Sequence, residues 1–534
     1  MNPNAAPGQR LMLAFSGKDA LSAEIAAALR QYRPAGITLF RSLNVDNPAQ
    51  VRRLTAQLQQ LAREIGLPPL LIATDQEGGQ LMAVGSGVTQ LPGNMALGAA
   101  GSEHLARQAG EVLGRELAAM GINVNYAPCL DVNINPRNPA VGTRSFGEDA
   151  QAVARLGAAM IAGIQSQRVA AVAKHFPGHG DTSSDSHHGL PAVPHSIERL
   201  RSVELPPFAS GIRAGVKMVM SAHLALSALD GPDAPPATLS RKIITGLLRE
   251  QLGFGGVTIT DAMDMRAIRQ GELLGEDALR ALRAGIDLLL LTTSAEDHAR
   301  VYRAVSRAFA DNLLDPAERA ASAARIAALQ EWVVQPGELP DLNAAGCAEH
   351  GHVAEEIARR SVTLVRDEKH ILPLRLRAGQ KIAVVLPRPR DLTPADTSSY
   401  VIPGLSAALR QVHPLVDEFL LPFAPEESDI AALLEQVTGS DLIIVGTLNA
   451  YDHPGQQALV RRLLRTGLPV VVAALRLPYD LAAFPEAPAY ICTYSILEPA
   501  MQALAQALFG QFPFQGKLPV TIPGMYGVGF GLHR

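Results

Sequence analysis

At 534 residues the chain is too long for one ordinary domain and has room for two or three. A hydrophobic content of 47% with 18% charged residues excludes an extended disordered protein, and a formal net charge of −4 without any Lys/Arg run excludes a nucleic-acid partner of the usual kind. The three cysteines, Cys129, Cys347 and Cys492, are too few and too far apart for a disulfide framework, and no apolar run approaches the ~20 residues that cross a bilayer. The N-terminus lacks a charged segment followed by a long apolar core, so a cytoplasmic protein without membrane partners is expected.

Taken in order, the first 310 residues carry eight short apolar runs of strand character, at 11–15, 36–40, 70–74, 122–126, 170–173, 217–221, 257–260 and 286–291. Between them lie Ala/Leu/Arg-rich stretches of helical period, such as 23–29, 51–65 and 103–120. Strand and helix patterns in alternation imply a parallel sheet. Eight such units predict a (β/α)₈ TIM-type barrel over 1–312, with an open doubly wound sheet as the competing arrangement. Polar residues follow the runs abruptly: Asp75 after the third, Asp131 and Arg144 after the fourth, Lys174 and His175 after the fifth, His223 after the sixth, Asp261 after the seventh. A closed barrel gathers such residues at one mouth. A Pro/Gly/Asn-rich region within 313–352 reads as a linker. From 353 to 534 a second alternating pattern begins, with strand runs at 382–386, 419–421, 442–445, 470–474 and 489–493. Five parallel strands with intervening helices predict an α/β three-layer sandwich that packs on the barrel.

The richest stretch is 174–191, KHFPGHGDTSSDSHHGLP. Its glycines and prolines make it a loop, and it follows a buried strand. The chain has only 14 histidines, and five of them fall between His175 and His195. Three readings compete. The loop could be a solvated surface segment. It could be a metal site drawing on His175, His179, Asp181, Asp185 and His187. Or it could be a metal-free acid/base loop in which Asp185 orients and charges His187, two residues on. At Asp261, the simple alternative is the N-cap of a helix over 261–269, and Asp264 is the competing carboxylate.

The stretch resembles the signature K-H-F-P-G-H-G-D-T-x-x-D-S-H-x-x-L-P of family 3 glycoside hydrolases, in the β-N-acetylglucosaminidase branch, and every fixed position is present. GGVTITDAMDMRAI resembles the nucleophile segment of that family, TDQEGG its D-[QH]-E-G-G turn, and YAPCLDVNINPRNPAVGTRSFGED its A-P-x-x-D-V…G-x-R-[SA]-F-G-x-D segment. The likeness spans nearly all of 9–310. SVTLVRDEKHILPL and ALFGQFPFQGKLPVTIP resemble the second domain of two-domain members. One departure is plain: after Gly79 the family usually has Arg-Val-x-Arg, and this chain has Gln80, Leu81, Met82, Ala83 and Val84.

The resemblance implies that Asp261 is the catalytic nucleophile, His187 the general acid/base and Asp185 its support. It also implies that Asp75 and Arg144 bind the sugar, and Lys174 and His175 are expected to join them. The expected activity is retaining, exo-acting hydrolysis of terminal β-linked N-acetylglucosamine, in a bacterium from peptidoglycan fragments, by a monomer that needs no cofactor or metal. A phosphorylase of the same family stays open, because a histidine acid/base adds no second carboxylate to repel phosphate. A metal-dependent barrel hydrolase is the rival class, and a non-enzymatic sugar-binding protein is a further one.

Overall fold

The computed structural model describes residues 6–18, 21–186, 189–334 and 337–533. All eight expected runs of the first part are strands: β1 Leu11–Ala14, β2 Gly36–Leu39, β3 Leu71–Thr74, β4 Val124–Asn125, β5 Ala170–Phe176, β6 Met218–Ser221, β7 Val257–Thr260 and β8 Leu289–Leu291. They form one parallel sheet in the order β7-β6-β5-β4-β3-β2-β1-β8. A bridge between Ile259 and Leu288 joins the two outer strands, so the sheet rolls into a nearly closed barrel rather than the open sheet.

Strand residues alternate between two faces. Met12, Leu71, Ala73, Val124, Ala170, Val172, Met218, Val257 and Ile259 form one cluster inside the barrel. Their neighbours Leu11, Leu13, Ile72, Ala171, Ala173 and Val219 belong to the cluster under the surrounding helices. Those helices start where capping chemistry says they should. Ser22, Asn47, Ser102 and Asp149 each accept a hydrogen bond from a first-turn amide, opening helices Ala23–Tyr32, Pro48–Glu64, Glu103–Ala119 and Ala150–Ser166. The segment 261–269 is not the helix that one reading of Asp261 expected. It runs as turns, and the next helix spans Leu274–Ala284.

Of the stretch 313–352, the first half is ordered around the barrel. Helix Pro316–Trp332 sends Ile326 and Leu329, with Val333 just beyond it, into the interior cluster, closing the end where the strands begin.

The second domain holds a six-stranded sheet: β9 Thr363–Asp367, β10 Ile382–Pro387, β11 Val416–Leu421, β12 Leu442–Thr447, β13 Val470–Ala474 and β14 Ala489–Cys492, in the order β9-β14-β13-β12-β10-β11. Five of these strands are the expected parallel set. The sixth, β9, runs antiparallel to β14. Its Arg366 and Asp367 interrupt the apolar run, yet both are buried, because Arg366 donates to the Ala487 carbonyl and Asp367 accepts from the amides of Ile371 and Leu372. Alternate residues of the central strands again face opposite ways. Val384, Ile444 and Val471 pack with Leu405 and Leu504, while Val385, Val445 and Val472 pack with Leu433 and Leu459. Both faces are therefore covered, which makes three layers.

The plug helix makes a checkable claim about stability. Ile326 is fully buried. Ile326→Ala should cost about 2–4 kcal/mol, read as a lower urea midpoint of the barrel transition; an unchanged midpoint would mean the helix is not part of the barrel core.

Candidate functional site

The strand alternation carries directly into the site. Positions 71, 73, 75 and 77 share the inward face of β3 and its extension, as do 170, 172 and 174 on β5, and 257, 259 and 261 on β7. Asp75, Lys174 and Asp261 therefore point into the barrel mouth at the C-terminal ends of their strands. There they line one cavity of about 620 Å³, together with Arg144, His175, His179 and Asp185. Of the seven residues singled out in the sequence, six line this cavity; the seventh, His187, lies outside the described residues.

Behind the cavity wall lies a buried carboxylate to which sequence reasoning gave no role, paired with the lining residues Arg144 and Lys174. Glu77 is 2% exposed. Its Oε1 lies 2.7 Å from Arg144 Nη2 and 2.7 Å from Lys174 Nζ. Lys174 also reaches Asp75 Oδ1 at 2.5 Å. Burial opposes the charge on Glu77, but the Arg144 and Lys174 cations more than offset it and hold its carboxyl at about 2. Burial works against Arg144 too, yet Glu77 raises its pKa, and Asp75 and Glu77 do the same for Lys174. Glu77, Arg144 and Lys174 are thus held ionised.

Asp131 anchors the histidine loop in the same way. It is fully buried, and its Oδ2 accepts from His175 Nδ1 at 2.7 Å, while Oδ1 accepts from the His179 amide at 2.6 Å. Burial would push its pKa up, but His175 and His179 hold it below the usual carboxylate range. With Nδ1 engaged, His175 turns Nε2 towards Arg144 Nη2, 3.4 Å away. His179 is fixed by Thr182 Oγ1 at 2.8 Å, and burial lowers its pKa. The glycines of the loop are needed for close approach. A Cβ on Gly180 would lie 1.8 Å from the Val132 carbonyl oxygen, and one on Gly178, at φ 130°, would meet the Glu204 side chain.

Asp185 and Ser186 are buried, and the Ser186 carbonyl accepts from the Ala267 amide, tying the loop to the segment that carries Asp261. Asp261 is partly exposed to the cavity and takes the Ala262 amide on Oδ1 at 2.8 Å. His223 sits behind it, bonded to the Ala262 carbonyl and to Thr238 rather than lining the cavity. Asp264, the competing carboxylate, lies at the rim and accepts from Thr292 Oγ1 at 2.6 Å.

The donor set for a metal-dependent hydrolase does not gather as that reading requires. Asp181 turns to His195 at 2.8 Å and to Arg199 at 3.4 Å. The group of potential ligands that converges among the described residues is Cys129, Asp131 and His175. There burial drives the Cys129 thiol pKa well up, away from the thiolate a metal would need, and Asp131 is already engaged by His175.

The second domain supplies one wall of the cavity, through Asp391, Thr393, Asp396, Thr397 and Tyr400. That wall is fastened to the barrel at Gln80, where the family pattern has arginine. The Gln80 side-chain oxygen accepts from Thr143 Oγ1 at 2.6 Å and from Arg476 Nη2 at 2.8 Å, and its carbonyl accepts from the Thr397 amide at 2.8 Å. Arg476 in turn pairs with buried Asp396 at 3.0 Å. Arg41, from the loop after β2, lies over the Tyr400 ring at 4.2 Å and donates to the Met82 carbonyl at 3.1 Å. This chain thus brings Arg41 and Arg476, from elsewhere in the fold, to the segment that lacks the two arginines.

A barrel whose mouth presents opposed carboxylates beside a rigid network of charged hydrogen-bonding groups defines an enzyme class that works on polar, hydroxyl-rich substrates. Comparison with known proteins makes this particular. Residues 8–329 match the glycosyl hydrolase family 3 N terminal domain and residues 362–527 the family 3 C-terminal domain, and the chain belongs to that family. It is 31% identical to β-hexosaminidase A of Pseudoalteromonas piscicida, over 96% of each chain. It is 30% identical to a β-N-acetylglucosaminidase/β-glucosidase of Cellulomonas fimi, over 85% of this chain and 83% of that one. A solved family 3 β-N-acetylglucosaminidase from Paenibacillus sp. str. FPU-7 superimposes with a TM-score of 0.91 at 38% identity, covering 98% of this chain and 99% of the other.

The Glu77 network makes a pH prediction. A carboxyl lowered from 4.5 to about 2 contributes stability that is full above 4.5 and is lost as pH falls towards 2. The contribution is on the order of 3 kcal/mol. Glu77→Gln should leave Arg144 without its carboxylate and Lys174 with Asp75 alone, cost about 3–5 kcal/mol at neutral pH and flatten the acid limb of the stability curve. Urea midpoints across this pH range would check it; equal acid slopes for both proteins would sink it.

Proposed function

We propose that the protein is a β-N-acetylhexosaminidase that releases terminal β-linked N-acetylglucosamine with retention, through a covalent glycosyl-Asp261 intermediate. The observation that carries the reading is that Asp261 and Asp185, from separate segments of the barrel, line one cavity with Asp75, Lys174 and Arg144, the two cations being tied together by buried Glu77. The names of its two full-length relatives and of the Paenibacillus enzyme support the choice of sugar.

In the first step an Asp261 carboxylate oxygen attacks the anomeric carbon from the α face. The glycosidic C–O bond breaks, and protonated His187 gives its proton to the departing oxygen. Asp185 supports the charged imidazole. In the second step neutral His187 takes a proton from water, whose oxygen displaces Asp261 and restores the β configuration. Asp75, Lys174, Arg144 and His175 hold the sugar hydroxyls. The ion pairs and hydrogen bonds that already hold these groups mean that little reorganisation accompanies binding. The substrates of this proposal are peptidoglycan fragments handled in the cytoplasm, with N-acetylglucosamine linked to a muramic-acid-type residue.

Asp261→Ala should lower kcat by roughly 10⁴-fold or more and form no adduct with a 2-fluoro sugar; an adduct seen by mass spectrometry in that variant would remove Asp261 from its role. Asp185→Asn should retain partial activity, within the roughly 10²–10⁴-fold that acid/base catalysis contributes, and should shift the acid/base limb of the pH profile. An unshifted limb means that Asp185 does not support the acid/base.

The proposal as a whole is tested by p-nitrophenol release from the β-N-acetylglucosaminide and the β-glucoside, each with and without phosphate. Preference for the acetamido sugar, indifferent to phosphate, is expected. Phosphate-dependent release with a sugar 1-phosphate product makes the enzyme a phosphorylase, and preference for the glucoside removes the cell-wall role.

A further inference from the structure

The end of the barrel remote from the sugar pocket carries another cavity, of about 440 Å³. Arg10 lies just before β1, Arg249 on the helical segment Lys242–Gln251 that precedes β7, and Arg319, Ser322 and Arg325 on the plug helix. With Arg241 and Arg283, six arginines line it, against the carboxylates Asp315 and Glu318.

The buried charges here do not balance. Asp287, fully buried behind the wall, pairs with Arg249 at 2.7 Å and with Arg325 at 2.7 Å. Glu318 is taken by Arg241 at 2.5 Å. Arg10 is only 2% exposed, and its guanidinium meets neutral acceptors, Ser322 Oγ at 2.9 Å and the Arg319 carbonyl at 2.9 Å. Among the described residues no carboxylate lies within ion-pair distance of it. Burial pulls its pKa down to about 10; the charge on Asp287 opposes this, and Arg325 and Arg319 push the same way as burial. Arg249 Nε and Arg319 Nε are also buried without a hydrogen-bond partner. Buried cations are ordinarily paired, because taking them out of water is costly. Arg249 and Arg325 share Asp287 and Arg10 pairs with no carboxylate among the described residues, an excess of two positive charges in the wall of an open cavity.

We infer that this cavity is a binding site for the phosphate group of a small molecule, held by Arg10, Arg249 and Arg325. A phosphate dianion matches the excess charge, which a monocarboxylate would not, and guanidinium forks suit its oxygens. The apolar Leu282, Ile286 and Leu314 leave room for an organic group on the phosphate.

The test uses the full-length protein at low ionic strength, with inorganic phosphate in one arm and glycerol 3-phosphate in the other, against chloride at matched ionic strength. Calorimetric titration should show one saturable site, and the unfolding temperature should rise with ligand concentration as linkage requires. Tighter binding of the ester identifies an organic phosphate as the ligand; tighter binding of the inorganic ion identifies free phosphate. Arg325→Gln should weaken binding roughly tenfold or more. Because that variant also unpairs Asp287, a second one is needed. Ala321 is exposed, lies on the plug helix and lines the cavity. Ala321→Glu should supply the missing anion within the chain, raise the unfolding temperature without ligand and abolish phosphate binding, with p-nitrophenol release unchanged. No saturable binding beyond chloride overturns the inference and leaves the arginines as fasteners of the main chain. Undiminished phosphate affinity in Ala321→Glu overturns it equally, because the anion is then held elsewhere.

Discussion

Three loops of the barrel mouth converge on one buried carboxylate. Glu77 follows β3, Arg144 follows β4 and Lys174 ends β5, and the two cations lie within 2.7 Å of the same Glu77 oxygen. Burying any one of these charges alone would cost several kcal/mol, so none is tolerable without the others. The network therefore fixes the loops relative to one another before any ligand arrives. Asp131 repeats the device one layer behind, where a single carboxylate collects the His175 ring and the His175 and His179 amides. A site built from loops gains in this way the rigidity of one built on strands.

Much of this was legible in the sequence, and the reason is geometric. A strand inside a barrel alternates strictly, so an acid or lysine placed two residues after the last inward apolar position continues inward. Asp75 after Ala73, Lys174 after Val172 and Asp261 after Ile259 all follow that rule. Glu77 obeys it as well, but it stands between Gln76 and two glycines, where a turn is the natural reading and a buried charge is not. Asp131 was visible as a polar residue after the fourth run, yet nothing local says that it holds His175, 44 residues on. The cavity wall at 391–400 carries no signature of its own, because its role comes from where the second domain docks. Strand β9 escaped for a different reason: a buried Arg366 and Asp367 look like loop residues until their main-chain partners are known.

Docking of the second domain is itself polar and specific. Gln80 receives hydrogen bonds from Thr143, beside Arg144, and from Arg476, across the domain boundary. One amide oxygen thereby couples the wall near Asp396 to the neighbour of Arg144. An arginine at position 80 would bring a second cation against Arg476. The departure from the family pattern and the buried Arg476–Asp396 pair are thus parts of one arrangement, in which charge on the second domain takes the place of charge on the barrel.

The two ends of the barrel treat buried charge in opposite ways, and each suits a different ligand. At the C-terminal mouth, Arg144 and Lys174 are matched by Glu77 and Asp75, and the carboxylates Asp185 and Asp261 line the same cavity. A net negative surround favours positive charge at an anomeric carbon, the charge that develops when a glycosidic bond breaks. At the opposite end Arg249 and Arg325 share Asp287, while buried Arg10 has only neutral acceptors. Such an excess of positive charge is costly next to a buried cation, and a bound anion would relieve it. The barrel walls between the two ends are filled by apolar side chains, so each end can keep its own sign of charge without cancelling the other.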